Sequence, residues 1–191
     1  MKILFLSVNN IWTPHFETEL ELMSNHLEKD DTVYVLTCNK SLKTCASNPN
    51  KVFLGCLKCR ARFGEGIKRI GLPKQNIFYL NNRVSDKNIS LVPVEFKNLT
   101  ELKKFTLFGI DFGIAAASSL ISEFGEHLPD TVLYKEKIFK YLASSLLVYE
   151  SILDIFNKIK PDLLYVCNGR FAEAWPAIEM AKKFGINFCT H

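Results

Sequence analysis

Two β-rich runs bracketing one amphipathic stripe constrain this chain more than any other feature. Lys2–Val8 is nearly continuously apolar, the pattern of a strand covered on both faces in a parallel sheet. Thr13 then offers an N-cap and Pro14 stands where a first helical residue would be. Phe16, Leu20, Met23 and Leu27 recur at helical spacing, while Glu17, Glu19, Glu21 and Glu28 fall mostly off that stripe. Thr32–Thr37 is a second β-rich run. Strand, helix and strand in this order form a βαβ unit, whose crossover is right-handed.

The same rhythm returns at the far end of the chain. Asp162–Cys167 reads as a strand, Asn168-Gly169 as a turn, the following residues to Gly185 as a helix, and Ile186–Thr190 as another strand. Pro176 lies inside that helical stretch, which marks a kink or a true start near Trp175. Between the two ends, a basic helix is expected from Arg60 to Ile70, closed by Gly71 and Pro73. Short strands are expected at Asn76–Leu80 and Ser90–Val94, with polar Asn81–Asn88 as the turn, and a short helix at Thr100–Phe108. Two long helices follow. One spans Asp111 to Phe124 and is rich in small residues; the other opens near Asp130 and is stopped by Pro161.

Alternating strands and helices predict an α/β fold with a Rossmann-like, doubly wound, mainly parallel sheet. With 191 residues the chain fills one domain, 1–191, with enough core to need no staples. Such sheets bind ligands beyond the carboxyl ends of their strands, near the switch point. The loop Asn9–His15, the turn Asn168–Arg170 and His191 should all lie there.

Charge narrows the partners. The formal net charge is +4, with one local concentration at Arg60, Arg62, Lys68 and Arg69. A nucleic-acid binder carries a stronger basic stripe, so nucleic acid is not an expected partner. The surplus gives weak support to a small anionic ligand or an anionic membrane surface. The N-terminal apolar run is too short for a signal peptide. No apolar stretch reaches the ~18 residues of a membrane span; the two candidates are interrupted by Asp111 and Glu150. The expected location is cytoplasmic, with peripheral association at the inner membrane face left open, and the cysteines are expected reduced or metal-bound.

Candidate site residues come from the strand-end loops. Neither a dinucleotide fingerprint nor a P-loop occurs in the sequence. The first loop offers Asn9, Asn10, Thr13 and His15 as binding groups. His15 would sit in the first turn of a helix, where the macrodipole disfavours its cation. A neutral imidazole there is a candidate general base; padding of the helix start is the alternative. Asn168, Gly169 and Arg170 could hold a phosphate or carboxylate, or form only a cap and a turn. Asp111 could charge a helix N-terminus or bind sugar hydroxyls. Glu17 and Glu19 are read as solvated helix-face carboxylates, not as a glycosidase pair.

Four cysteines, Cys38, Cys45, Cys56 and Cys59, fall in the poorly periodic segment 38–59, which reads as a Cys-rich insertion. The C-x₂-C end is a good chelating pair for a structural zinc ion, although the first pair is wider than in a common zinc ribbon. Redox chemistry at Cys56/Cys59 and inert thiols are the other readings. Cys167 and Cys189 fall in expected core strands and are read as packing.

Several phrases together resemble a family. W-T-P-H-F-E-T-E-L-E-L (12–22), V-L-T-C-N (35–39), C-A-S-N-P (45–49), C-L-K-C-R (56–60), D-F-G-I-A-A-A-S-S-L-I-S (111–122) and N-G-R-F-A (168–172) resemble, in order, the N-terminal region of bacterial capsule and surface-polysaccharide glycosyltransferases. The resemblance implies the acceptor-side half of a GT-B architecture. A donor domain beyond His191 would then bind the nucleotide-sugar, and this half alone would be inactive. It further implies transfer of sugar to a glycan or lipid-linked acceptor, with His15 as base or positioning group. Asn168, Arg170 and His191 would hold acceptor or donor phosphates. A non-catalytic, zinc-stabilised scaffold module and an unrelated nucleotide-binding or thiol-redox domain are the competing expectations.

Overall fold

The computed structural model describes residues 1–191 and is built on one five-stranded, all-parallel sheet. Its strands are β1 (Lys2–Ser7), β2 (Thr32–Thr37), β3 (Ile77–Tyr79), β4 (Leu163–Val166) and β5 (Asn187–Thr190), in the order β3-β2-β1-β4-β5. Helix α1 (His15–Leu27) connects β1 to β2, and α2 (Phe53–Arg69) connects β2 to β3. The return from β3 to β4 runs through α3 (Asp86–Ile89), α4 (Leu99–Lys103), α5 (Phe112–Phe124) and α6 (Lys135–Ile159); α7 (Trp175–Phe184) then leads into β5. Winding outward in both directions from β1 puts the switch point between β1 and β4. The doubly wound Rossmann-like fold follows from this sheet.

Side-chain alternation divides the core in two. Ile3 and Phe5 point to one face, with Val33, Val35, Phe16, Met23, Phe63 and Ile67, under α1 and α2. Leu4 and Leu6 point to the other, with Leu36, Leu164 and Val166, under α5, α6 and α7. Both faces of β1 are therefore dry, which is why its sequence is uninterruptedly apolar. The small-residue run of α5 serves close packing: Gly113, Ala115, Ala116 and Ala117 are buried, and a Cβ on Gly113 would lie 1.7 Å from the Leu102 carbonyl oxygen.

Several expected elements shift. The segment 38–59 divides in two: residues 38–52 are the β2–α2 connection, and Cys56 and Cys59 stand in the opening turns of α2, which begins at Phe53. Asn48 secures that start, accepting the Val52 N–H and donating to the Val52 carbonyl, both at 2.9 Å. Residues 90–94 form no strand; a helical turn, α3, precedes them. Helix α6 begins at Lys135, not near Asp130, and α7 begins at Trp175, at the late start that Pro176 suggested. Cys189 is exposed, on the edge strand β5, and is not core packing. No helix is long and apolar enough to cross a membrane.

Candidate functional site

Polar groups collect where parallel strands end. The carboxyl ends of β1, β2, β4 and β5 deliver Ser7, Thr37, Cys167 and His191 to one region, and α1 adds His15 and Glu19. Register places Val166 opposite Thr190, so Cys167 and His191 are next-step neighbours; the Asn168 N–H donates to the His191 carbonyl at 3.0 Å.

Glu19 is the residue that sequence reading misplaced. It is only 5% exposed, whereas Glu17 is solvated and ion-paired with Arg62. The signal was present: Glu19 is three residues after Phe16 and four before Met23, hence on the inner face of α1. Burial pushes its carboxyl up to about 8, partly offset by a hydrogen bond with Ser7. Ser7 has one hydroxyl proton and two acceptors in reach, Glu19 Oε2 and Asn10 Oδ1. A protonated Glu19 resolves this competition by donating to Ser7 while Ser7 donates to Asn10.

The two loop asparagines are consumed internally. Asn9 Nδ2 donates to Glu173 Oε1 at 3.1 Å, and its Oδ1 accepts from Ser47 at 2.9 Å. Asn10 is 2% exposed and binds Ser7 and Thr37. Both therefore shape the loop and leave no free amide for a ligand. Thr13 does not cap α1; its hydroxyl accepts from Arg62 at 2.8 Å. Arg62 also donates to the Ile11 carbonyl, so this member of the basic concentration fastens the loop to α2. Arg60 and Lys68 line a groove along β3 instead.

His15, half-buried, is the first residue of α1, with its ring 6.2 Å from Trp12 and 6.4 Å from His191. Burial and the neighbouring His15 hold the His191 imidazole below its ordinary value. The His15 backbone approaches the His191 ring closely enough to oppose this slightly, yet neither buried His191 nitrogen completes a hydrogen bond. Glu19, Cys167 and His191 bring one donor atom each within 4.8 Å of one another.

At the β4 end, Asn168 and Gly169 both take left-handed backbone (φ 59° and 67°). A side chain on Gly169 would in addition meet Ile178 at 2.4 Å. Arg170 is exposed and lies over the Phe171 ring. Asp111 falls outside the region. Its neighbour Phe108 stacks on Tyr149 and accepts from Lys183 at the end of α7, toward the amino ends of the strands. Two further groups were invisible in sequence: Glu173, fully buried with Oε2 unpartnered, and Trp175, whose indole N–H has no acceptor.

Cys38, Cys45, Cys56 and Cys59 line one cavity of about 20 Å³ beside this region, room for a single water or ion. Burial, then the Glu173 charge, pushes Cys45 up to about 12; burial also raises Cys59, against a hydrogen bond from Asn10.

No family model matches the chain, and no curated protein matches it. Among solved structures, it is similar to the Leishmania major tyrosyl-tRNA synthetase in complex with tyrosinol, at 10% identity and a TM-score of 0.43. That alignment covers 99% of this chain and 31% of the synthetase.

Proposed function

We propose that this chain is the acceptor-side domain of a glycosyltransferase, moving sugar from a nucleotide-sugar donor to a hydroxyl of a glycan or lipid-linked acceptor. The observation that carries the reading is His15: a half-buried imidazole at a helix start, beside the β1–β4 switch point, facing a second imidazole, His191. The unprotonated form of an imidazole can accept a hydroxyl proton, and Trp12 beside it offers an apolar wall for a sugar ring. Arg170, exposed at the β4 end, is free to meet a phosphate. On this reading the nucleotide-sugar is bound outside this domain, and membrane association, if the acceptor is lipid-linked, is of the peripheral type.

The test is His15→Ala in the full-length enzyme, assayed with nucleotide-sugars. Loss of the general base should lower kcat by about 10²–10⁴. Transfer at the wild-type rate would remove His15 from the chemistry.

A second reading rests on the cysteine cavity: structural zinc held by Cys38, Cys45, Cys56 and Cys59, in a module without catalysis. The shared cavity supports it, although no three of the four thiols lie within 4.8 Å of one another, so an ion would have to draw them together. Burial raises the Cys59 thiol, whereas redox chemistry at Cys56/Cys59 needs a depressed one. Elemental analysis of protein purified without chelator should find zinc, and Cys56→Ser/Cys59→Ser should lose about one equivalent.

A further inference from the structure

Glu19, Cys167 and His191 come from three separate elements: the second turn of α1, the residue after β4 and the residue after β5. Each is a chemically competent ligand, and together they are carboxylate, thiol and imidazole, a set that suits zinc and its borderline neighbours. Their packing is unusual for a polar cluster. The His191 Nε2 is 3.8 Å from Glu19 Oε1, beyond hydrogen-bond reach, and neither buried nitrogen of that ring has a partner. Cys167 is buried with its thiol among these groups. A dry polar cluster normally closes into hydrogen bonds; here Glu19 bonds Ser7, while both His191 nitrogens lack partners.

The spacing has a natural explanation in coordination. Bonds of about 2.0–2.3 Å in a tetrahedron put ligand atoms about 3.3–3.8 Å apart. Donors already within 4.8 Å reach that by small side-chain adjustments. Charge balance points the same way. A dication with one carboxylate, one thiolate and one neutral imidazole gives a site of zero net charge, which a buried space tolerates.

We propose that Glu19, Cys167 and His191 bind one divalent cation of the zinc class, leaving a fourth position open toward His15. This site is distinct from the four-cysteine cavity and does not need the sugar-transfer reading. Only its role rests on that reading. An acceptor hydroxyl in the fourth position would be acidified by the cation and would give its proton to His15.

Cobalt(II) is the probe, because a cobalt–thiolate bond absorbs where a carboxylate or imidazole complex does not. The chain carrying Cys56→Ser/Cys59→Ser, stripped with chelator, should still bind one equivalent of cobalt with a thiolate charge-transfer band. Adding Cys167→Ser should abolish the band. Adding His191→Ala should weaken binding by at least about 100-fold. Circular dichroism confirms that each variant is folded, and Glu19→Gln replaces any that is not. No thiolate band in the background protein, or a band and affinity indifferent to these changes, overturns the site. Cobalt binding together with wild-type transfer by His15→Ala would keep the metal site and discard the transfer mechanism.

Discussion

Glu173 holds Asn9 across 164 residues of sequence: the Asn9 amide donates to Glu173 Oε1 at 3.1 Å, inside a fully buried pocket. The same oxygen accepts the Ala46 N–H at 2.8 Å. One carboxyl thus ties the β1–α1 loop and the β2–α2 connection to the segment that opens α7. Removing it leaves two buried donors without an acceptor, at about 1–3 kcal/mol each. Glu173→Ala should therefore lose about 2–4 kcal/mol in urea denaturation.

The pH dependence of that carboxyl has a definite sign. Burial raises Glu173 above the ordinary carboxylate value of 4.5, against hydrogen bonds that lower it. Between 4.5 and the raised value the native state keeps the proton and the unfolded chain has released it. Stability contributed by the protonated form is then present at low pH and is lost as pH rises through the folded pKa. Glu173→Gln keeps an acceptor oxygen and cannot titrate. Urea midpoints should fall more steeply with pH in the wild type than in Glu173→Gln; parallel curves would show that Glu173 is not protonated in the fold.

Ala172 shows how a buried loop is made tolerable. Its N–H donates to Ser119 at 2.9 Å and its carbonyl accepts from Ser145 at 2.7 Å, both serines being buried, one on α5 and one on α6. Ser119→Ala and Ser145→Ala should each cost about 1–3 kcal/mol by denaturation, because each strands one backbone group. A hydroxyl-retaining Ser→Thr change would test whether the hydrogen bond or the tight space sets the cost.

These contacts explain what is legible in the sequence and what is not. Periodicity revealed β1, α1, β2, β4 and β5 because burial on fixed faces is a local property, and the strand-end grouping of the candidate residues followed from topology. Glu19 was hidden for a different reason: the stripe was read as Phe16, Leu20, Met23 and Leu27, while the buried face is centred on Phe16, Glu19 and Met23. Glu173 and the Asn9–Ser47 bond depend on partners far away in sequence. Nothing local marks Asn9 as a structural amide and His15 as the free group beside it. The start of α2 was misjudged because its first turns expose Phe53, Leu54 and Leu57, so no apolar stripe faces inward there.

Gly113 carries a purely steric prediction. A methyl group there would stand 1.7 Å from the Leu102 carbonyl oxygen, which is backbone at the end of α4 and cannot rotate away. Helix propensity favours alanine by about 1 kcal/mol, but the clash requires α4 and α5 to separate within a packed core. Gly113→Ala should therefore lower the thermal midpoint sharply or prevent folding, whereas Gly64→Ala, with open space around its Cβ, should stabilise α2 slightly.

Arg62 makes the last prediction, because it separates loop order from global stability. Its guanidinium donates to the Ile11 carbonyl at 3.0 Å and to the Thr13 hydroxyl at 2.8 Å, and it pairs with Glu17. About a third of the side chain is exposed and Glu17 is half exposed, so the ion pair itself contributes under about 1 kcal/mol. The two loop contacts are what hold residues 11–13 against α2, directly ahead of His15. Arg62→Ala should leave the urea midpoint nearly unchanged while amide exchange at residues 11–13 and at His15 accelerates about tenfold. Arg62→Lys should restore little of that protection, since an ammonium lacks the planar fork that reaches both oxygens. Exchange rates that stay at wild-type values in Arg62→Ala would show that the loop is ordered by Asn9 and Asn10 alone.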